Sequence, residues 1–192
     1  MHRIHRHLIR GTLVVWAAAT VGACSQPAPS TNTADATAAK ELAAIKATEA
    51  QEQRNLANFD DLDFRVYSGQ KWDEFTKSHA PDIVVHWPDG RTTTGLEAHL
   101  ADLKQQFVFA PDTAIKEHPI KIAQGNWTAV QGVMTGTFTR PMPVAGGKPI
   151  APTNKPYRLD MVTIGRWENG VMKEEWLMWD NQAFMKQIGL AQ

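Results

Sequence analysis

The sequence predicts an α+β domain, with helices first and a curled antiparallel sheet after them. Two observations carry this. In an alanine-, glutamate- and lysine-rich stretch from about Ala38, apolar residues recur at loosely helical intervals, at Leu42, Ile45, Leu56, Phe59 and Leu62. This spacing predicts one or two helices up to Gly69. Strand-like segments then occupy residues 115–123, 127–139, 157–167 and 171–179, the last two joined by Asn169-Gly170, a dipeptide suited to a tight hairpin. At 192 residues, 43% hydrophobic and 21% charged, the chain has the composition of one domain with a real core plus attachments.

The elements between follow in order. A short helix is expected with Trp72 and Phe75 facing inward, then a strand over residues 82–87, stopped by Pro88-Asp89-Gly90, a turn signal. Thr94-Gly95-Leu96-Glu97 reads as a capping box, in which the threonine oxygen meets an orphan N–H and the glutamate reaches back. The helix it opens carries Leu96, Leu100, Leu103 and Phe107 on one face. Residues 140–156 hold five prolines and two adjacent glycines, a long connection that is either a functional lid or a floppy insert. A short C-terminal helix with Phe184 and Ile188 begins at Asp180, where aspartate is a favoured N-cap.

The N-terminal attachment has its own logic. Arg3, Arg6 and Arg10 precede the uncharged run 12–23, a positive region followed by an apolar one too short to span a bilayer. The run ends at Val21-Gly22-Ala23-Cys24, which resembles the lipobox of bacterial lipoproteins. That resemblance implies a signal peptide over residues 1–23, lipidation of Cys24 and a cell-envelope address on the periplasmic face of the outer membrane. The alternative is a plain secretory signal with an incidental cysteine. Residues 24–37, mostly Ser, Thr, Pro and Ala, cannot support a core and read as a flexible tether. The domain proper is then 38–192. Removing the three signal arginines leaves 17 basic residues against 20 acidic, a balance that argues against a nucleic-acid partner.

For chemistry, the chain offers no glycine-rich phosphate loop and no serine or cysteine nucleophile motif. His79, His99 and His118 lack the spacing of a metal site, so neither cofactor nor metal is expected. Alternation on the last strand puts Glu175, Leu177 and Trp179 on one face and Glu174, Trp176 and Met178 on the other. Asp160 stands mid-strand between Leu159 and Met161, where an ionised carboxylate is costly without a partner. Arg158, two residues back, is that partner. The pair reads either as a tuned general base in a pocket, assisted by Glu175 or His86, or as an ion pair at its mouth. His86 ends an apolar strand ahead of a turn and either lines the pocket or serves structurally. Trp179, on the face of Glu175, is the candidate ligand contact.

Four stretches, HWPDG at 86–90, FAPD at 109–112, GNWTAVQGVMTGTF at 125–138 and EEWLMWDNQAFMKQIGL at 174–190, resemble the SnoaL-like polyketide cyclase, or ester cyclase, family of the nuclear transport factor 2-like superfamily. The resemblance covers residues 56–190. It implies a cone, a strongly curved sheet wrapped round helices with a pocket at its open end, which binds a small, largely apolar molecule. It also implies acid/base chemistry of the cyclase, isomerase or hydrolase type. Sheet-to-sheet dimers are common in the superfamily and imply a homodimer. In the cyclases the final strand carries a His-Trp-Asp run with a catalytic aspartate; here it is Glu175-Trp176-Leu177. The tryptophan matches, but leucine stands at the aspartate and cannot move a proton. The expected catalytic set is therefore Asp160, His86 and Glu175, with Arg158, Leu177 and Trp179 binding the ligand. The alternative is a non-catalytic ligand-binding or protein-interaction module of the same fold.

Overall fold

Good helix formers dominate the first part of the domain, and in the computed structural model, which describes residues 31–192, they form one long helix, α1 (Thr31–Asp61). It begins inside the segment expected to be a tether. Cys24 and the signal segment lie outside the described residues. Residues 39–192 form one compact unit; of the separate unit 1–38, the described part is the opening of α1. Leu42 and Ile45 are exposed, and burial on α1 begins near Asn55 and Phe59. Among the described residues, no helix is long and apolar enough to cross a membrane.

At its end α1 widens into a π-helical turn, Leu62–Tyr67, closed by Ser68 N–H to the Asp63 carbonyl and Lys71 N–H to that of Val66. Such insertions re-aim side chains, and here Leu62, Asp63, Val66 and Tyr67 are all buried. A 3-10 turn, Trp72–Lys77, then buries Phe75.

Seven strands follow: β1 (His79–His86), β2 (Thr92–Thr94), β3 (Ala114–Ile115), β4 (Ile120–Gln124), β5 (Trp127–Thr137), β6 (Pro156–Glu168) and β7 (Val171–Trp179). They are ordered β2-β1-β7-β6-β5-β3, with β4 also paired to β5. All pairs are antiparallel except β1 with β7. The strand expected over 115–123 is two, because the break at 116–119 lets the chain leave and rejoin β5. At the β6–β7 hairpin both Asn169 and Gly170 have positive φ, 51° and 83°, as a two-residue turn matched to the strand twist requires.

Helix α2 (Leu96–Phe109) packs on β1, with Leu96, Leu100, Leu103 and Phe107 against the core as the spacing predicts. The capping box does not form. Thr94 is held in the β2 ladder opposite Val84, so the N-cap falls to Gly95, whose φ of 96° makes the break from strand to helix. That conformation favours glycine.

The inner face of the sheet closes over Phe59, Phe75, Phe138 and Ile188, and Trp167 donates its indole N–H to Thr128 Oγ1 at 2.9 Å. Residues 140–156 fold back on themselves through a Met142–Ile150 bridge, and Thr153 Oγ1 donates to the Ile188 carbonyl at 2.6 Å. The final helix, α3 (Asn181–Gln187), is capped by Asp180, whose carboxylate accepts the Ala183 N–H at 2.9 Å. Replacing that cap is expected to cost about 1 kcal/mol in Asp180→Ala and a few tenths in Asp180→Ser. Chemical denaturation of the two variants checks this; equal losses would remove the cap from the account.

Candidate functional site

The curved sheet, the π-helical turn and α2 enclose a pocket of about 260 Å³. Most of its wall is apolar: Leu62, Phe75, Met134, Leu159, Met161 and Leu177 contribute. Three polar side chains from three elements meet in it. Alternation on β7 turns Glu175 inward together with Leu177 and Trp179. His79 starts β1, where a register shift between His79 and Val84 interrupts the pairing with β7 and leaves both His79 and Ala80 buried. His99 lies on the inner face of α2, one turn before Leu103 and two before Phe107.

All three are shut off from solvent, at 1% exposure for His79 and His99 and 4% for Glu175. Glu175 Oε2 lies 3.3 Å from His99 Nε2 and 3.8 Å from His79 Nε2. Trp87 packs at 5.6 Å from the His99 ring and edge-on to Trp179 at 6.5 Å. Arg91, over the face of Trp87 at 4.4 Å, is paired with Asp102 and Asp89 on the same side of the pocket.

Burial pushes His99 down to about 4, so it is neutral near pH 7. Burial also opposes charge on Glu175, while the nearby His99 and the contact with His79 act the other way and bring that carboxyl below the usual glutamate value. A neutral His99 and an ionised Glu175 are therefore in tension. Among the described residues four buried side-chain polar atoms lack a hydrogen-bond partner; three of them are His79 Nε2, His99 Nδ1 and Glu175 Oε2. The site has polar capacity that the protein itself does not use.

A second carboxylate, Asp63, also lines the pocket but is fully answered. His118 Nε2 is 2.9 Å from Asp63 and its Nδ1 2.7 Å from Asp60, which also holds Lys121 at 2.6 Å. Two carboxylate acceptors on one ring call for both nitrogens to donate, the imidazolium state. Burial works against that cation, but the bonds to Asp63 and Asp60 outweigh it and hold His118 above its ordinary value. Burial raises Asp63 against the pull of His118, whereas Asp60 is lowered, its burial overcome by Lys121 and His118.

The structure brings Glu175, Leu177 and Trp179 to the pocket and leaves Asp160, Arg158 and His86 outside it. The buried positions of β6 are Tyr157, Leu159, Met161 and Thr163, so Asp160 and Arg158 point outward. Asp160 is 66% exposed in its side chain, 3.4 Å from Arg158, which also meets Glu117 at 3.6 Å. The pair corrects the expectation of a buried base: Leu159 and Met161 are its chain neighbours but belong to the opposite face. An exposed pair of this kind contributes about 0–1 kcal/mol. His86 also faces out, 3.0 Å from Glu174 and stacked on Trp176 at 4.9 Å. Sequence reasoning missed Asp63 and set His79, His99 and His118 aside because they lack metal-site spacing. Only His99 left a signal, the helical step from His99 to Leu103 and Phe107.

The architecture is a curved sheet closed over helices with a mostly apolar pocket between them. The family model described as SnoaL-like polyketide cyclase matches residues 62–188, and the chain belongs to that family. Among solved structures, wild-type IdmH from Streptomyces antibioticus is similar over 70% of this chain and 98% of its own, at 22% identity and TM-score 0.61. A SnoaL-like protein from Jannaschia sp. CCS1 is similar over 73% and 95%, at 19% identity and TM-score 0.62. At such identities the likeness concerns the fold. No curated protein matches the chain.

The His118 bridge has a pH signature. A group whose folded pKa is raised contributes stability that is fully present below the unfolded value and lost as pH rises through the folded one. Above the ordinary histidine value of 6.5, wild-type stability is therefore expected to fall relative to His118→Gln. Below it the variant should be less stable by about 1–3 kcal/mol, the cost of a stranded buried acceptor. Thermal unfolding across pH checks this; parallel curves would show that His118 carries no linked proton.

Proposed function

We propose that this protein binds a small, largely apolar molecule in the pocket, with one polar group directed at His79, Glu175 and His99, and polarises or moves a proton on that group. The observation that carries this reading is the convergence of three buried, under-used polar side chains at one place in a mostly apolar wall. Such a division, apolar wall for affinity and few polar groups for orientation, is the usual design of small-molecule sites. Trp179 and Leu177 supply wall contact in this proposal, and Glu175 replaces Asp160 as the acting carboxylate. A second reading, a non-catalytic binding module, draws on Leu177, the apolar residue at the position where the resemblance puts a catalytic aspartate.

The experiment is mass spectrometry of small molecules retained by the full chain purified in detergent, followed by incubation with the molecule found. Conversion that falls about 100-fold or more in Glu175→Gln, and less than about twofold in Asp160→Asn, supports catalysis at the cluster. A molecule recovered unaltered from wild type and variant alike supports the binding module, and retention that survives Trp179→Ala and Glu175→Gln together would place the ligand elsewhere.

We further propose that Cys24 is lipidated and holds the domain on the cell envelope, a reading that rests on the lipobox-like residues 21–24. Several buried acyl chains, at about 0.8 kcal/mol per CH₂, make such attachment nearly permanent. Cys24→Ser is expected to move the protein from the membrane fraction to the soluble one. An unchanged distribution in that fractionation would refute the anchor.

A further inference from the structure

The ring orientation of His79 is set from behind. Ser78 Oγ lies 3.2 Å from the Phe75 carbonyl and 2.9 Å from His79 Nδ1; with the serine proton on the carbonyl, its oxygen accepts from His79 Nδ1–H. Nε2 is then the nitrogen with the lone pair, the tautomer a metal ligand needs. It faces another lone-pair atom, Glu175 Oε2, across 3.8 Å, and neither has a hydrogen-bond partner. His99 Nε2 stands 3.3 Å from the same oxygen. One ligand atom from each of the three residues lies within 4.8 Å of the others. Two lone pairs held face to face in a buried site repel unless a proton or a metal cation lies between them.

From this geometry we propose that His79, His99 and Glu175 together hold one divalent first-row transition-metal ion at the polar end of the pocket. Metal bonds of about 2.0–2.2 Å to nitrogen and oxygen require the three side chains to close in by about an ångström or less. Two imidazoles and one carboxylate select an ion such as Zn²⁺, Co²⁺ or Fe²⁺ over Mg²⁺ and Ca²⁺, which favour oxygen alone. Three protein ligands leave coordination positions open toward the apolar wall, where an oxygen of the bound molecule would be polarised. Ser78 is a positioning residue that keeps the His79 lone pair inward. The inference deepens the pocket reading and rests on it only for what takes the open positions.

The test uses the full chain in detergent, stripped by chelator and titrated with Co²⁺. Expected are one Co²⁺ per chain, visible bands of nitrogen- and oxygen-coordinated Co²⁺, and displacement by Zn²⁺. Glu175→Gln and His99→Ala should each weaken binding at least about 100-fold, and Ser78→Ala, which removes no ligand, by about 10- to 100-fold. Circular dichroism verifies the fold of each variant, and Ser78→Ala decides if the ligand variants do not fold. No Co²⁺ uptake by folded wild type, or uptake unchanged in these variants, overturns the site. Small molecules retained by the same samples are measured in parallel. Retention without Co²⁺ uptake sinks the metal site and leaves the pocket reading, while Co²⁺ uptake with no retained molecule supports the site and sinks that reading.

Discussion

Burying an ionised carboxylate is expensive unless something nearby answers its charge, and at Glu175 the fold supplies only two imidazoles. Much of the architecture serves that meeting. The parallel pairing of β1 with β7 sets the strand of His79 beside that of Glu175, and the irregularity in β1 leaves room for the ring to be buried. Gly95 turns the chain sharply enough for α2 to bring His99 over the same point. Each buried polar atom left without a partner costs about 1–3 kcal/mol, so three of them in one cluster are a burden that packing elsewhere must offset. Native proteins keep few such atoms, and those they keep call for a reason.

Asp63 provides the internal contrast. It lies on the same pocket and is also buried, yet His118, Asp60 and Lys121 form a continuous chain of ion pairs behind it. That network ties the end of α1 to the segment before β4, and the bonds of His118 are taken up by it. The two carboxylates thus divide the labour. Asp63 is answered from the protein side and braces the wall, while Glu175 is answered incompletely and faces the cavity. Coulomb interaction between them raises Asp63 further.

The fold was legible because its signals are local. Period-two alternation located β5 to β7, Asn169-Gly170 located their hairpin, and the spacing from Leu96 to Phe107 located α2. The capping box failed because Thr94 had a competing use in the β2 ladder. The site was legible only in part. Alternation grouped Glu175 with Leu177 and Trp179 correctly, but it could not tell which face of β6 is inside. Leu159 and Met161 made the setting of Asp160 look apolar, although they belong to the buried face and Asp160 to the outer one. His79 and His99 are 20 residues apart and Glu175 is 76 further on, so their meeting is a product of topology and leaves no spacing to read.

Leu177 gains a different meaning in this light. Positions 175 and 177 project from the same face of β7, about 7 Å apart along the strand. By the resemblance, the cyclases keep histidine at the first and aspartate at the second. This chain has the carboxylate at the first, and its histidines come from β1 and α2. The inward carboxylate of β7 thus stands at 175, one inward position away, and Leu177 is part of the apolar wall. Position 177 pairs with Thr163 on β6, whereas the carboxylate at 175 meets two imidazoles. The buried carboxylate of β7 thus stands where imidazoles from two other elements reach it, 3.3 and 3.8 Å away.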